Sequence, residues 1–192
     1  MGDDFRFGYQ RAGDVALLED RGRQLGFDVV PCELVSDEFA VISSSRIRAQ
    51  IEEGRVEAAA RLLGRPHALS GEVIRGEGRG RQLGFPTANI APPERMAVPA
   101  DGIYSVLADG RPAVASLGVR PTFESGGQRL LEVLIFDISD DLYGTVIKVE
   151  FIERIRGEEE FESVGELVDQ MNRDSEDARR IAAEFLAGND PG

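Results

Sequence analysis

The chain has 192 residues, 42% hydrophobic and 30% charged, with a formal net charge of −13, which fits an ordinary globular domain, alone or with an appendage. Its only lysine (Lys148, between Ile147 and Val149), histidine (His67) and cysteine (Cys32) exclude a lysine P-loop, a Cys/His zinc cluster, any two-histidine motif and an internal disulfide. The acidic balance argues against nucleic acid as a partner, no apolar run suits a membrane span or a signal peptide, and the expected location is the cytoplasm.

Residues 1–66 read as α/β. Phe5–Phe7 reads as a short strand or its end. Ala12–Leu25 carries apolar residues at helical spacing, and Gly26 stands where a helix ends. Phe27–Val30 reads as a strand stopped by Pro31. Ser43-Ser44-Ser45 offers N-caps for a helix through Ile51, closed by Gly54. Val56–Leu63 reads as a second helix, closed by Gly64 and Pro66. Two strands are too few for a self-sufficient sheet, so this part reads as a piece of a larger domain.

From residue 67 the pattern changes. Leu69–Ile74, Ile103–Ala108, Ala113–Leu117, Leu130–Asp137 and Val146–Ile155 are short β-rich runs between Gly and Pro turns. Asp109-Gly110 is a hairpin signal. Runs of this length and spacing predict a small barrel or sandwich. Ser163–Leu186 reads as one or two helices, with its acidic residues on a solvated face, and the tail beyond Gly188 is expected to fray.

The densest chemical signal is Gly76 to Asn89, Gly-Glu-Gly-Arg-Gly-Arg-Gln-Leu-Gly-Phe-Pro-Thr-Ala-Asn. Its glycines let backbone amides approach a polyphosphate, and Arg79 and Arg81 can pair with phosphate oxygens. A plain surface loop also accounts for the glycines taken alone. Thr87 and Asn89 are two apart, so in an extended segment both point the same way. They offer hard neutral oxygens suited to Mg²⁺, although turn capping also suits them. Val41–Ile90 holds eight arginines against five glutamates, so this stretch is locally basic.

Glu132 alternates with Leu134 and Phe136. It is either an edge residue in water or a positioned carboxylate able to take a proton from a hydroxyl nucleophile. Gly118-Val-Arg-Pro-Thr122 is either a substrate turn or a plain loop. His67 is expected at the surface or as a cap, and Cys32 as a small buried hydrophobe.

Five ordered blocks resemble riboflavin kinase. They are Gly80-Arg-Gln-Leu-Gly-Phe-Pro-Thr-Ala-Asn89, Asp101-Gly-Ile-Tyr104, Gly118-Val-Arg-Pro-Thr122, Leu131-Glu-Val133 and Asp141-Leu-Tyr-Gly144. Upstream, Gly2-Asp-Asp-Phe-Arg-Phe-Gly8, Ala12-Gly-Asp14 and Ile42-Ser-Ser-Ser-Arg-Ile-Arg48 resemble the latter part of an FMN adenylyltransferase module. That module precedes the kinase in bacterial bifunctional FAD synthetases.

The resemblance implies an α+β chain. A six-stranded Greek-key β-barrel with a C-terminal helix would occupy residues 67–187. A partial Rossmann-like α/β nucleotidyltransferase segment would occupy residues 1–66. It implies ATP and riboflavin as substrates, FMN and ADP as products, and Mg²⁺ as cofactor. Thr87 and Asn89 would bind the metal, and Glu132 would be the base. Gly76, Gly78, Gly80, Arg81, Gly84, Pro86, Thr87 and Asn89 would contact ATP, and Arg156 the flavin. Ser44, Ser45, Arg46 and Arg48 would keep a phosphate-gripping motif at a helix N-terminus.

The adenylyltransferase also needs an HxGH motif, which one histidine cannot supply. FMN synthesis without FAD synthesis is therefore expected. The rival readings are a bifunctional FAD synthetase and a noncatalytic flavin- or nucleotide-binding module.

Overall fold

Alternating apolar residues from residue 67 onward form one closed sheet, seen in a computed structural model. The structure describes residues 2, 4–76, 78, 80, 83–93, 95–120, 128–138 and 141–189. The chain divides into two compact units, Met1–Ser44 and Ser45–Gly192.

The first unit holds a 3-10 turn, Tyr9–Arg11, and helix α1, Val15–Leu25. Asp14 caps α1 by accepting the Leu17 amide at 2.9 Å, and Gly26 ends it at φ 77°. β-Pairing among the described residues of this unit is limited to the isolated bridges Gly2–Cys32, Phe7–Gly13 and Ser36–Val41. Phe27–Val30, expected as a strand, is irregular, and Phe5–Phe7 contributes only the bridge at Phe7. A strand needs a neighbour for its N–H and C=O groups, and these described residues supply no ladder. The two strands expected of a partial Rossmann-like segment are therefore not paired among them. Cys32, expected inside a core, is exposed.

Helix α2, Ser44–Glu52, begins at the boundary, and α3, Val56–Leu63, follows the turn at Gly54. α3 packs on the barrel through Val56, which is fully buried in its core. The barrel strands are β1 (His67–Ile74), β2 (Ala88–Ile90), β3 (Gly102–Ala108), β4 (Arg111–Arg120), β5 (Gln128–Ile135) and β6 (Val146–Arg156). They close in the order β1-β2-β5-β4-β3-β6, every pair antiparallel. The run β6-β3-β4-β5 is a Greek key. Asp109 and Gly110, both at positive φ, make the β3–β4 hairpin.

The interior sets large side chains against small ones. Tyr104 and Phe151 meet edge-to-face at 5.3 Å, opposite Ala113 and Ala115 of β4. Truncating Phe151 to Ala should cost about 3–5 kcal/mol. Helix α4, Val164–Gly188, is one continuous helix capped by Ser163. It covers the outer face of β3 and β6: Ile181 and Ala182 pack on Leu107 and Ile152, and Ser105 Oγ donates to the Ala178 carbonyl at 3.0 Å.

Candidate active site

β2 is only three residues long, and it carries the site. Ala88 and Ile90 belong to the barrel core, so Asn89 between them faces outward. On β5, Leu131 and Val133 are in the core, so Glu132 also faces outward. The β2–β5 register pairs Asn89 directly with Glu132. Thr87, one residue before β2, places Oγ1 3.5 Å from Glu132 Oε2, near contact but too long for a strong hydrogen bond. Asn89 Nδ2 donates to the Thr87 carbonyl at 3.3 Å, which turns the amide beside its neighbour. The three polar residues picked out from the sequence thus meet in one place.

The row continues across the sheet. Glu132 pairs with Ser116 of β4, Ser116 with Ile103 of β3, and Ile103 with Arg156 of β6. One register line therefore runs Asn89, Glu132, Ser116, Ile103, Arg156 over the outer face. Strands about 4.8 Å apart give it a span of roughly 19 Å.

Two clefts meet on this row. The first, about 540 Å³, is bordered by Gly76, Gly78, Pro86, Thr87 and Asn89 and by the turn at Asp141–Tyr143. The second, about 260 Å³, holds Glu132, Ser116, Ile103 and Arg156, walled by Phe161 and Met171. Thr87 borders both.

The glycines have distinct jobs. A Cβ on Gly76 would lie within 3 Å of Asn89 Cγ and Oδ1, so only glycine leaves room at that amide. A Cβ on Gly80 would strike the Phe85 carbonyl and approach Thr87 Oγ1 to 3.5 Å. Gly78 and Gly84 face open space but hold φ of 70° and 90°. Gly84 and Pro86 border a third, open hollow beside Arg179. Arg79, Arg81, Pro121 and Thr122 lie outside the described residues.

Arg156 reaches into the second cleft from β6, with its guanidinium 5.8 Å from the Phe161 ring centroid. It is bound to Asp174 of α4 by Nε at 3.0 and 3.2 Å and Nη2 at 2.7 Å. These bonds to a carboxylate raise the Arg156 pKa further, against the opposing effect of burial. Asp174 is buried and also accepts from Gln170 at 2.9 Å. This corrects the expectation that the acidic residues of this helix form only a solvated face. α4 turns Asp174 inward on the same side as Ala178 and Ile181.

Other residues also differ from what the sequence predicts. His67 is buried on β1, stacked on Phe151 at 6.1 Å, with Nε2 donating to the Ala97 carbonyl at 2.9 Å. It is not at the surface, because the first position of β1 falls on the barrel side. Burial pushes its pKa down, and the carbonyl bond only partly opposes this. The Asp101-Gly-Ile-Tyr104 block is a structural clasp: Asp101 pairs with Arg129, and Tyr104 donates to the Ala100 carbonyl at 2.6 Å. Asp141-Leu-Tyr-Gly144 forms one lip of the first cleft, with Arg75 lying 5.1 Å from the Tyr143 ring centroid. Ser44, Ser45, Arg46 and Arg48 stand at the start of α2 and border neither cleft.

The sequence reading missed Ser116, Phe161 and Asp174. Only Asp174 left a signal, as an acidic residue one turn before the helix's apolar face.

The chain is similar to several known proteins. Over 186 residues the chain is 41% identical to the bifunctional riboflavin kinase/FMN adenylyltransferase of Escherichia coli K12, covering 94% of this chain and 59% of that protein. The Bacillus subtilis protein of the same description is 37% identical, covering 93% and 58%. The chain thus spans under two thirds of the length of these relatives. A crystal structure described as a macrolide-efflux protein from Streptococcus pneumoniae superposes with a TM-score of 0.80 at 38% identity, over 93% of this chain and 58% of that one. The family profile described as "Flavokinase: Riboflavin kinase" matches residues 63–182, which include the whole barrel, Thr87, Asn89, Glu132 and most of α4. With that match over more than half its length, the chain belongs to the riboflavin kinase family.

Proposed function

We propose that this chain transfers the γ-phosphoryl group of ATP to the 5′-hydroxyl of riboflavin, giving FMN and ADP. The observation that carries the reading is the position of Glu132. It pairs in register with Asn89 of the first cleft and lines the second cleft itself. ATP occupies the first cleft, against Gly76, Gly78 and Pro86; Gly80, Gly84 and Arg81, the last outside the described residues, are proposed as further ATP contacts. Riboflavin occupies the second cleft, with Arg156 at its far end.

Thr87 and Asn89 would hold Mg²⁺ through hard neutral oxygens, which suits an ion that draws its other ligands from water and phosphate. Gly76 lets the Asn89 amide lie against the loop backbone, where a Cβ would strike it, and so keeps this oxygen donor beside Thr87. When bound, the ion neutralises charge on the β- and γ-phosphates.

Glu132 accepts the 5′-hydroxyl proton as that oxygen attacks the γ-phosphorus. The new O–P bond forms as the bond from the γ-phosphorus to the β,γ-bridging oxygen breaks, and ADP leaves with that electron pair. Backbone amides of the glycine loop and arginine side chains stabilise the charge.

The kinase part is assigned to residues 67–187 and the adenylyltransferase-like part to residues 1–66. Among the described residues no helix is long and apolar enough to cross a membrane, and the proposed location is the cytoplasm. Nucleic acid is not a proposed partner.

Incubation with riboflavin, ATP and Mg²⁺, followed by chromatography of the flavins, tests the proposal. FMN alone supports it. FAD would assign the adenylyltransferase step to this chain as well. Unchanged riboflavin would leave a binding module.

A further inference from the structure

We propose that Ser116 is a substrate-binding residue whose hydroxyl pairs with a secondary alcohol of the ribityl chain, so that the site selects a polyol tail over an alkyl one. The inference rests on the riboflavin kinase reading above.

Ser116 follows Glu132 on the register row, directly across the β4–β5 pair. Paired residues place their Cβ atoms about 4.5–5.5 Å apart on the same face. A chain whose 5′-oxygen sits at Glu132 therefore brings its 3′- and 4′-hydroxyls within reach of Ser116 Oγ. Ala115 and Leu117 point into the barrel, so Ser116 points out, into the wall of the second cleft.

A second outward serine on the same sheet shows what a structural hydroxyl does here. Ser105 of β3 is fully buried under α4, and its Oγ is engaged by the Ala178 carbonyl. Ser116 is only half-buried, and among the described residues its hydroxyl makes no hydrogen bond. A ligand covering it removes water from that hydroxyl. An unmatched hydroxyl then opposes binding, whereas a facing alcohol restores the bond. Its neighbours along the outer face, Val114 on β4 and Ile103 on β3, are apolar and line the same cleft. Ser116 is therefore the neutral polar group that β4 adds to that wall, on the side of the proposed base away from Thr87.

The test compares riboflavin with a 10-(5-hydroxypentyl) flavin, which keeps the ring and the terminal alcohol but lacks the 2′, 3′ and 4′ hydroxyls. The wild type should have the lower KM for riboflavin. Ser116→Ala should raise the riboflavin KM roughly 3- to 10-fold, the range of one hydrogen bond, and leave the KM of the pentyl compound unchanged. The turnover number should stay within about twofold, because binding alone is lost. Ser116→Thr, which keeps a hydroxyl, should restore the riboflavin KM.

Equal wild-type KM values for the two flavins would overturn the proposal without recourse to any variant. So would a Ser116→Ala effect that is the same on both. A wild type that forms no phosphorylated product from either would overturn the kinase reading itself, and this inference with it.

Discussion

Arg156 and Asp174 form a fork joining the end of β6 to the middle of α4. Nε lies 3.0 Å from Oδ1 and Nη2 lies 2.7 Å from Oδ2, with side-chain exposures of 15% and 6%. The pair fixes the start of the segment that carries Phe161 across the second cleft. Its worth lies in geometry more than in net stability, because desolvating two charges offsets most of their attraction. Asp174→Asn leaves a largely buried guanidinium with only Glu159, 4.0 Å away and exposed, as a counter-charge and should cost about 3 kcal/mol in urea unfolding. The double variant Arg156→Met, Asp174→Leu should recover most of that stability. Neither should recover the riboflavin KM, and recovery in the double variant would show the pair to be scaffolding alone.

Glu132→Gln keeps the shape of the side chain and removes its basicity. The turnover number should fall by about 10²–10⁴-fold, the usual worth of a general base. ATP affinity, measured by calorimetry, should stay near the wild-type value. Near-normal turnover would take Glu132 out of the mechanism.

Much of this site is legible along the chain because the barrel's period is simple. In Leu131-Glu-Val133 and Ala88-Asn-Ile90 the apolar flanks point into the core, and the polar residue between them must face out. What the chain cannot state is which outward residues share a row. Register joins Asn89, Glu132, Ser116 and Arg156 from four strands, and that depends on closure of the whole sheet. β2 escaped notice as a strand because three residues carry too little periodicity. Asp174 read as solvated because a charged residue on a long helix usually is, and its partner lies eighteen residues upstream. Phe27–Val30 failed for the opposite reason: its β-prone composition is legible, but no neighbouring strand is described to pair with it.

His67 makes the stability of the barrel depend on pH. Its pKa in the folded chain lies below the ordinary value of 6.5, chiefly because the ring is buried. Above 6.5 both folded and unfolded chains hold it neutral, and its contribution is fully present. As pH falls from there toward the lowered folded value, the unfolded chain takes the proton first and is favoured. The urea midpoint should therefore drop between pH 7.5 and about 5.5. His67→Gln, which retains a donor for the Ala97 carbonyl, should flatten that part of the profile. An unchanged slope in the variant would assign the pH dependence to other groups.

Gly76→Ala and Gly78→Ala separate the two ways in which a glycine serves the loop proposed to hold the nucleotide. At Gly76 the new methyl meets the Asn89 amide, while φ lies outside the left-handed region. At Gly78 the methyl meets nothing, but φ is 70°, where a side chain costs about 1–2 kcal/mol if the loop holds its conformation. Gly76→Ala should therefore weaken Mg·ATP binding by pushing the Asn89 side chain off its position, with little change in thermal stability. Gly78→Ala acts on the shape of the loop. Its effect on Mg·ATP affinity should be smaller, because the loop can relax into solvent without disturbing Asn89. Titration of both variants with Mg·ATP, and with ATP in the presence of EDTA, distinguishes the cases. The Gly76→Ala deficit should appear in the metal-dependent titration and shrink when the metal is withheld. A deficit of equal size under both conditions would mean that the methyl blocks the nucleotide and that Asn89 is not acting through the ion.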